Sequence, residues 1–391
     1  MLLSLALILI IGFILSSLFV RLHLPGLLGL ILTGIILGPY SFNLLDPKLL
    51  TISADIRQIA LIVILFRAGL TMNIRDLKKN GRPAILLTFL PATFEIITVT
   101  ILAPLLFGIS TLEAAILGTV LGAVSPAVVV PRMIGLIESG YGKAKGIPQM
   151  ILAGASVDDV FVIVLFTSFL SMFQGTGFAI TSLLSVPLSI IFGLLLGIGL
   201  GYLLVKLFKY FHVRDTIKVL LILSVCFLMV ALEDKLEGTF PLSGLLGVMA
   251  LGGILLKLYP LLAKRINNKF SKIWLGAEIF LFVLVGSATD ITALSEAGFA
   301  VVLLIIISLI FRMIAVFLSV AGTDLTLQEK IFTAGAYTPK ATVQAAIGSI
   351  PLAMGVPAGS LILTVAVLAI VITAPIGATF IDLSHKKLLQ K

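Results

Sequence analysis

Long apolar segments follow one another along almost the whole chain. Thirteen can be delimited, at approximately 2–20, 26–40, 56–72, 83–107, 112–134, 151–172, 180–208, 218–232, 241–256, 273–287, 297–320, 330–354 and 360–380. Most have the length that an α-helix needs to cross the hydrocarbon core of a bilayer. The chain is 60% hydrophobic and 12% charged, more apolar than a soluble protein of 391 residues can bury. The sequence therefore predicts an all-α polytopic protein with about 13 transmembrane helices surrounded by membrane lipid.

The basic residues between these segments predict the orientation of the chain. Loops after the odd-numbered segments, and the C-terminus, carry most of the Lys and Arg residues. Because basic loops face the cytoplasm, we expect the N-terminus outside and the C-terminus inside. The same loops account for the net charge of +9, so the charge does not indicate nucleic-acid binding. No targeting segment is found, which favours a bacterial inner (plasma) membrane.

Two parts of the sequence resemble each other at a nearly constant offset. Leu24–Gly29 resembles Leu242–Gly247 at an offset of 218 (247 − 29), and the third and tenth segments align at 217 (290 − 73). We therefore predict a first repeat at 1–172, a linker helix at 180–208 and a second repeat at 218–380. Equivalent segments lie seven apart, an odd number, so the second repeat is inverted. Inverted repeats are typical of secondary transporters, whose substrate site lies between the copies.

Helix-breaking residues occur in segments five and twelve, which are equivalent in the two repeats. Segment five contains Ser125 and Pro126, and segment twelve contains Thr338 and Pro339. Proline removes a backbone donor, and carbonyls freed inside a membrane need new partners. We expect two discontinuous helices whose ends meet near the midplane and mark an ion pathway. Two ordinary proline kinks are the alternative.

Ionisable side chains also lie inside the predicted spans. Six are identified, and their formal charges cancel: Arg67, Glu95, Asp158, Asp159, Arg312 and Lys340. Glu95 and Arg312 are separated by the repeat offset of 217 (312 − 95), so we expect them to meet as a structural clasp between the repeats. No partner or role is assigned to Arg67.

The adjacent carboxylates Asp158 and Asp159 are the strongest functional signal, because charges inside a membrane mark ion or proton pathways. On one helix they point about 100° apart, so one can pair with Lys340 while the other faces a cavity. Static salt bridges for both are the alternative. A cation needs oxygen ligands and negative charge, and protonation removes that charge, so proton and cation compete. Ser156, about one turn before Asp159, either offers its hydroxyl to the ion or bonds back to its own helix.

Three stretches, together with the aspartate pair, resemble the NHA-type sodium/proton exchangers of the electrogenic branch of cation–proton antiporters. They are 66–70 (FRAGL), 122–131 (GAVSPAVVVP) and 339–348 (PKATVQAAIG). The likeness spans nearly the whole chain. It implies the sodium/proton antiporter fold, with core (ion-translocating) and dimerisation domains and two crossed, partly unwound helices.

The same resemblance implies roles for individual residues. Asp159 is the expected main carrier of the cation (Na⁺ or Li⁺) and the proton, Asp158 is expected near Lys340, and Glu95 and Arg312 are expected to form a bridge. The resemblance also implies homodimers, elevator-like alternating access and electrogenic exchange of two protons per cation. No cofactor is expected beside the transported ions.

Other functions stay open at this point. A K⁺/proton antiporter and a sodium-coupled symporter on a similar fold both fit the same residues. An intramembrane aspartyl protease, an enzyme, needs two aspartates on separate facing helices, usually with a Gly-x-Gly-Asp stretch, whereas here the aspartates are neighbours and that stretch is absent. We therefore expect a transporter and not an enzyme, acting in sodium transport and pH homeostasis.

Overall fold

The computed structural model describes residues 1–22, 24–71, 81–174, 180–211, 213–236, 240, 242–289 and 293–391. Within these ranges the chain forms 18 α-helices and no strands. In chain order they are α1 Leu2–Arg21, α2 Gly26–Leu37, α3 Pro47–Thr51, α4 Ser53–Thr71, α5 Gly81–Leu87, α6 Leu90–Phe107, α7 Thr111–Gly122, α8 Pro126–Ser139, α9 Ile147–Gln174, α10 Ile180–Tyr210, α11 Asp215–Leu236, α12 Gly244–Leu258, α13 Pro260–Ser287, α14 Ala293–Ser319, α15 Leu327–Ala336, α16 Thr342–Ile347, α17 Ile350–Ala353 and α18 Gly359–Leu388. The predicted all-α fold class is confirmed.

Apolar length is a property of many of these helices. Eight stretches in the described part of the chain are long and apolar enough to cross a membrane: α1, α5 with α6, α9, most of α10, most of α11, α13, most of α14 and α18. Four shorter apolar helical stretches are α2, α7, α12 and the pair α16–α17. Each of the thirteen predicted segments overlaps a helix in the described part of the chain, as expected of an integral membrane protein.

The fifth and twelfth predicted segments are both discontinuous. In segment five, α7 ends at Gly122 and α8 begins at Pro126, with residues 123–125 non-helical between them. In segment twelve, α15 ends at Ala336 and α16 begins at Thr342. We call 123–125 the first break and 337–341 the second break. The two breaks touch, because the Ser125 N–H donates to the Pro339 carbonyl at 2.8 Å.

Both broken helices start with the same sequence device. Ser110 precedes α7, and its hydroxyl accepts from the Glu113 N–H at 3.2 Å while the Glu113 carboxylate accepts from the Ser110 N–H at 2.9 Å. Thr326 and Glu329 repeat this reciprocal pair at the start of α15, at 3.3 and 2.7 Å. Such capping boxes satisfy helix-terminal N–H groups that otherwise lack partners. They fix where each broken helix begins.

The chain divides into two compact units. The first comprises Met1–Ala54, Asn73–Val162 and Leu281–Lys391, and the second comprises Asp55–Met72 and Ile163–Phe280. Both breaks belong to the first unit. The division into repeats at 1–172 and 218–380 with a linker at 180–208 remains a prediction.

Within the second unit, α10 and α12 pack closely through glycine. A Cβ atom added to Gly197 would lie 2.1 Å from the Gly247 carbonyl oxygen. No larger residue fits at that distance, so glycine is needed at position 197. Small residues allow helices in membranes to approach and gain van der Waals contact. This part of the glycine-rich tenth helix therefore serves packing.

Candidate ion-binding site

The first break exposes three consecutive carbonyl groups, and the second half of the chain supplies a donor to each. The Leu121 carbonyl accepts from Lys340 Nζ, the Gly122 carbonyl from Arg312 Nη1, and the Ala123 carbonyl from Gln344 Nε2 at 2.7 Å. All three donor side chains are buried. Because unpaired carbonyls are costly away from water, these contacts stabilise the break.

A buried carboxylate lies beside these donors. Glu95, on α6, accepts from Arg312 Nη1 at 2.8 Å, from Lys340 Nζ at 2.7 Å and from the Ser308 hydroxyl at 3.3 Å. Glu95 and Arg312 thus meet, as their equivalent positions in the two predicted repeats indicate. Burying such charges is costly unless each is paired and hydrogen-bonded, and here every one of them has several partners.

The partner of Lys340 differs from the sequence expectation. We expected Lys340 to pair with Asp158, but its ammonium lies on Glu95, and the ion pair of Asp158 is with Arg312 at 3.3 Å. The physical reason is geometric. The planar guanidinium of Arg312 reaches Glu95 and Asp158 at once, whereas the compact ammonium is engaged by Glu95 and the Leu121 carbonyl. The Lys340 charge acts on Asp158 only through space.

Asp158 is held at one of its two oxygens. Its Oδ2 accepts from the Val124 N–H at 2.7 Å and from Arg312 Nη2 at 3.3 Å. Its Oδ1 is buried and has no hydrogen-bond partner within the described residues. The first break therefore binds Asp158 through its backbone and leaves one carboxylate oxygen available.

Asp159 has less support from the protein. Only 7% of the residue is exposed, and in the described part of the chain it forms no ion pair, while its buried Oδ1 lacks a hydrogen-bond partner. Ser125 is fully buried, and its hydroxyl is likewise without a partner among the residues described. Since Ser125 follows Val124, which binds Asp158, these oxygens belong to one region. Buried oxygens without donors suit a cation, because hard cations prefer oxygen ligands.

The other predicted site residues are placed as follows. The Thr338 hydroxyl donates to the Gly335 carbonyl at 2.8 Å, so it caps the end of α15. Pro339 contributes its carbonyl to the contact between the breaks, and Pro126 starts α8. The backbone of Ser156 belongs to α9, whereas the side chains of Ser156 and Pro126 lie outside the described part.

Arg67 belongs to the second unit and is not in this cluster. Its guanidinium carbon lies 5.9 Å from the centre of the Trp274 ring, and it interacts electrostatically with Glu278. Glu278 falls inside the tenth predicted segment and was missed among the ionisable residues of the spans. A glutamate within an apolar segment is itself the signal that identifies it.

Comparison with known proteins decides the family. The model of the family described as "Sodium/hydrogen exchanger, transmembrane" matches residues 4–383. The chain belongs to the sodium/hydrogen exchanger family. Human sodium/hydrogen exchanger 9B2 is 35% identical over 384 residues, which cover 94% of this chain and 70% of that protein. Human sodium/hydrogen exchanger 9B1 is 32% identical over 389 residues, covering 94% and 73%.

A solved structure shows that this exchanger-family chain has an antiporter fold. The sodium proton antiporter MjNhaP1 from Methanocaldococcus jannaschii, at pH 8, superposes with a TM-score of 0.83 and 19% sequence identity. The match covers 99% of this chain and 98% of the antiporter. The sequence resemblance to sodium/proton exchangers is thus confirmed at the level of the family, and the electrogenic aspartate-pair branch stays a prediction.

Proposed function

We propose that the protein exchanges a monovalent cation, Na⁺ or Li⁺, for protons across a membrane, with Asp159 as the ion carrier. The observation that carries this proposal is the state of Asp159, a buried carboxylate without an ion-pair partner in the described part of the chain. Family membership supports exchange of a cation for protons. The named relatives are sodium/hydrogen exchangers, which favours sodium among the cations.

The charges of the cluster explain why Asp159 would be the carrier. Glu95 and Asp158 are balanced by Arg312 and Lys340 through the ion pairs described above. Asp159 is left with one uncompensated negative charge when ionised. A charge in such surroundings is strongly disfavoured, so either a bound cation or a bound proton would neutralise it. Because both use the same carboxylate, binding one excludes the other, which is the chemical requirement for exchange.

Asp158 and Ser125 would complete the cation site. Each offers an oxygen with no partner among the described residues, beside the break at which Asp158 is held. Ser156 remains a candidate ligand from the same helix as the aspartates. Sodium and lithium have hard-cation chemistry and favour such carboxylate and hydroxyl oxygens.

The finer features of the mechanism are part of the proposal. The ionic cluster ties α6, α9, α14 and the second break together inside the first unit. This supports movement of that group of helices as one body, as elevator-like alternating access requires. Electrogenic exchange of two protons per cation would need a second titrating group, for which Asp158 and Lys340 are the candidates. A homodimer in a plasma membrane, with the N-terminus outside and the C-terminus in the cytoplasm, completes the proposal.

The experiment uses purified protein in liposomes carrying an imposed pH gradient. Addition of Na⁺ or Li⁺ is expected to dissipate the gradient for the wild-type protein and to leave it intact for Asp159→Asn. Asp382→Asn is the matched control, because that aspartate forms a partly exposed pair with Arg132 at 3.0 Å and should retain activity. Exchange retained by folded Asp159→Asn would contradict the assignment of the carrier.

The same assay separates the alternatives. Dissipation by K⁺ alone would identify a K⁺/proton antiporter on the same site. A gradient insensitive to Na⁺, Li⁺ and K⁺ would overturn the exchanger proposal and leave the sodium-coupled symporter.

A further inference from the structure

One fully buried polar side chain, Gln344 on α16, bridges the two breaks. Its Oε1 accepts from the Ala341 N–H at 2.8 Å, and its Nε2 donates to the Ala123 carbonyl at 2.7 Å. A longer contact of 3.5 Å joins Nε2 to the Leu121 carbonyl. The amide thus takes up a free N–H of the second break and a free carbonyl of the first.

The Ala123 carbonyl and the Val124 N–H belong to the same peptide group. On its carbonyl side this group accepts from Gln344, and on its N–H side it donates to Asp158 Oδ2 at 2.7 Å. No peptide bond in the described chain is cis, so the two groups point in opposite directions. The orientation of one peptide plane is therefore fixed by Gln344 on one side and by Asp158 on the other.

These contacts form a continuous series of hydrogen bonds. It runs from the Ala341 N–H through the Gln344 amide and the Ala123–Val124 peptide to the carboxylate of Asp158. Hydrogen bonds in series polarise and align one another. We infer that Gln344 is a positioning residue for the cation site, which holds the Asp158 carboxylate with its second oxygen available to the ion.

This inference rests on the proposed function, because it assumes that a cation binds beside Asp158. Of the three side chains that donate hydrogen bonds to carbonyls at the first break, Gln344 is the neutral one. Arg312 and Lys340 donate hydrogen bonds to their carbonyls and also carry charges of the ionic cluster. Replacing either one would therefore disturb the charge as well as the geometry. A change at Gln344 leaves all formal charges in place, so its effect on cation binding reports on positioning.

Gln344→Met is the test variant, since methionine keeps the length of the side chain and removes both polar groups. A matched control is Thr373→Val, which removes the hydroxyl that accepts from the Lys340 N–H at 2.9 Å in the same second break. Thr373 makes no contact with the Ala123–Val124 peptide in the hydrogen bonds described. If Gln344→Met does not fold, Gln344→Asn replaces it, because a side chain one methylene shorter cannot span both groups.

Three quantities are measured at one fixed pH: the apparent KM and kcat for Na⁺ in liposomes, and the half-saturating Na⁺ concentration in detergent, obtained by fitting the dependence of Tm on Na⁺ concentration. Gln344→Met should raise the KM for Na⁺ and the half-saturating Na⁺ concentration about tenfold, as loss of support for an ion ligand does. The value of kcat should change less than about twofold. Thr373→Val should keep both the KM and the half-saturating concentration within about twofold of the wild type. Added to Asp158→Asn, Gln344→Met should cause no further change in the Tm titration, because the series ends at Asp158.

Three results would overturn the inference. The first is an unchanged KM and an unchanged half-saturating Na⁺ concentration in folded Gln344→Met or, in its place, Gln344→Asn. The second is an equal rise of both values in Thr373→Val. The third is a further tenfold rise of the half-saturating concentration when Gln344→Met is added to Asp158→Asn. Failure of the proposed function looks different, since the wild-type protein itself would then show no Na⁺-dependent transport and no Na⁺-dependent Tm.

Discussion

The two broken helices share a scaffold but differ in charge. Each begins with a capping box, and each capping glutamate accepts a hydrogen bond from a residue just before a helix in the other half of the chain. The Glu113 carboxylate accepts from the Ala358 N–H at 3.0 Å just before α18, and the Glu329 carboxylate accepts from Lys145 Nζ at 2.8 Å just before α9. Parallel contacts of this kind are what the two repeats predicted from the sequence would produce.

The acidic and basic side chains of the buried cluster, by contrast, come from different halves of the chain. The acids Glu95, Asp158 and Asp159 precede the predicted linker helix, whereas the bases Arg312 and Lys340 follow it. The offset of 217 that separates Glu95 from Arg312 places proline and isoleucine, at 375 and 376, opposite the two aspartates. The acids of the proposed carrier site thus lie in the first predicted repeat, and the second predicted repeat supplies the basic side chains that pair with Glu95 and Asp158.

Replacing Arg312, the base that pairs with both Glu95 and Asp158, should have the largest effect on stability. Arg312→Met would leave Glu95 with Lys340 alone, Asp158 without an ion pair, and the Gly122 and Tyr337 carbonyls without their donor. Loss of one partner from a buried ion pair costs about 3–5 kcal/mol, and thermal unfolding in detergent would measure it. Arg132→Met is the control, because its pair with Asp382 is partly exposed and contributes about 1 kcal/mol or less. Equal Tm values for the two variants would contradict the claim that the buried ion pairs of Arg312 stabilise the fold more than the partly exposed pair of Arg132.

A smaller loss is expected for Lys340→Met. Glu95 would keep Arg312 as its partner, so the main penalty is a Leu121 carbonyl left with only its long contact to Gln344 and a weaker set of ion pairs, about 1–3 kcal/mol. The comparison of Tm values should therefore rank Arg312→Met below Lys340→Met. The reverse order would show that the ammonium, and not the guanidinium, is the main counter-charge.

The scaffold contact of Glu329, which precedes the twelfth predicted segment, should have the smallest effect and a pH dependence. Burial raises the pKa of Glu329, but hydrogen bonds from Lys145 and Thr326 outweigh it and lower the pKa below the usual 4.5. A carboxylate with a lowered pKa stabilises the fold above its ordinary pKa, and this contribution disappears as the pH falls through the folded value. Glu329→Gln should cost about 1 kcal/mol at neutral pH. The difference in Tm from the wild type should shrink at acidic pH; a difference independent of pH would contradict the assigned ion pair.

The sequence was sufficient for features that depend on pattern. Apolar length predicted the helices, proline predicted both breaks, and the repeat offset predicted that Glu95 meets Arg312. It was not sufficient to assign Lys340, because the choice between Glu95 and Asp158 depends on which carboxylate lies within reach of a short ammonium head. The bridge formed by Gln344 was missed for a related reason. Its partners are backbone groups freed by breaks, and no sequence pattern shows where such groups point.

The most direct test of the central claim, that one carboxylate carries either ion, is the affinity of the wild-type protein for Na⁺ measured at several pH values by Tm titration. Competition for this carboxylate predicts that the half-saturating Na⁺ concentration rises about tenfold per pH unit on the acidic side, and up to about a hundredfold where a second group also exchanges its proton for the cation. A half-saturating concentration independent of pH would contradict the claim.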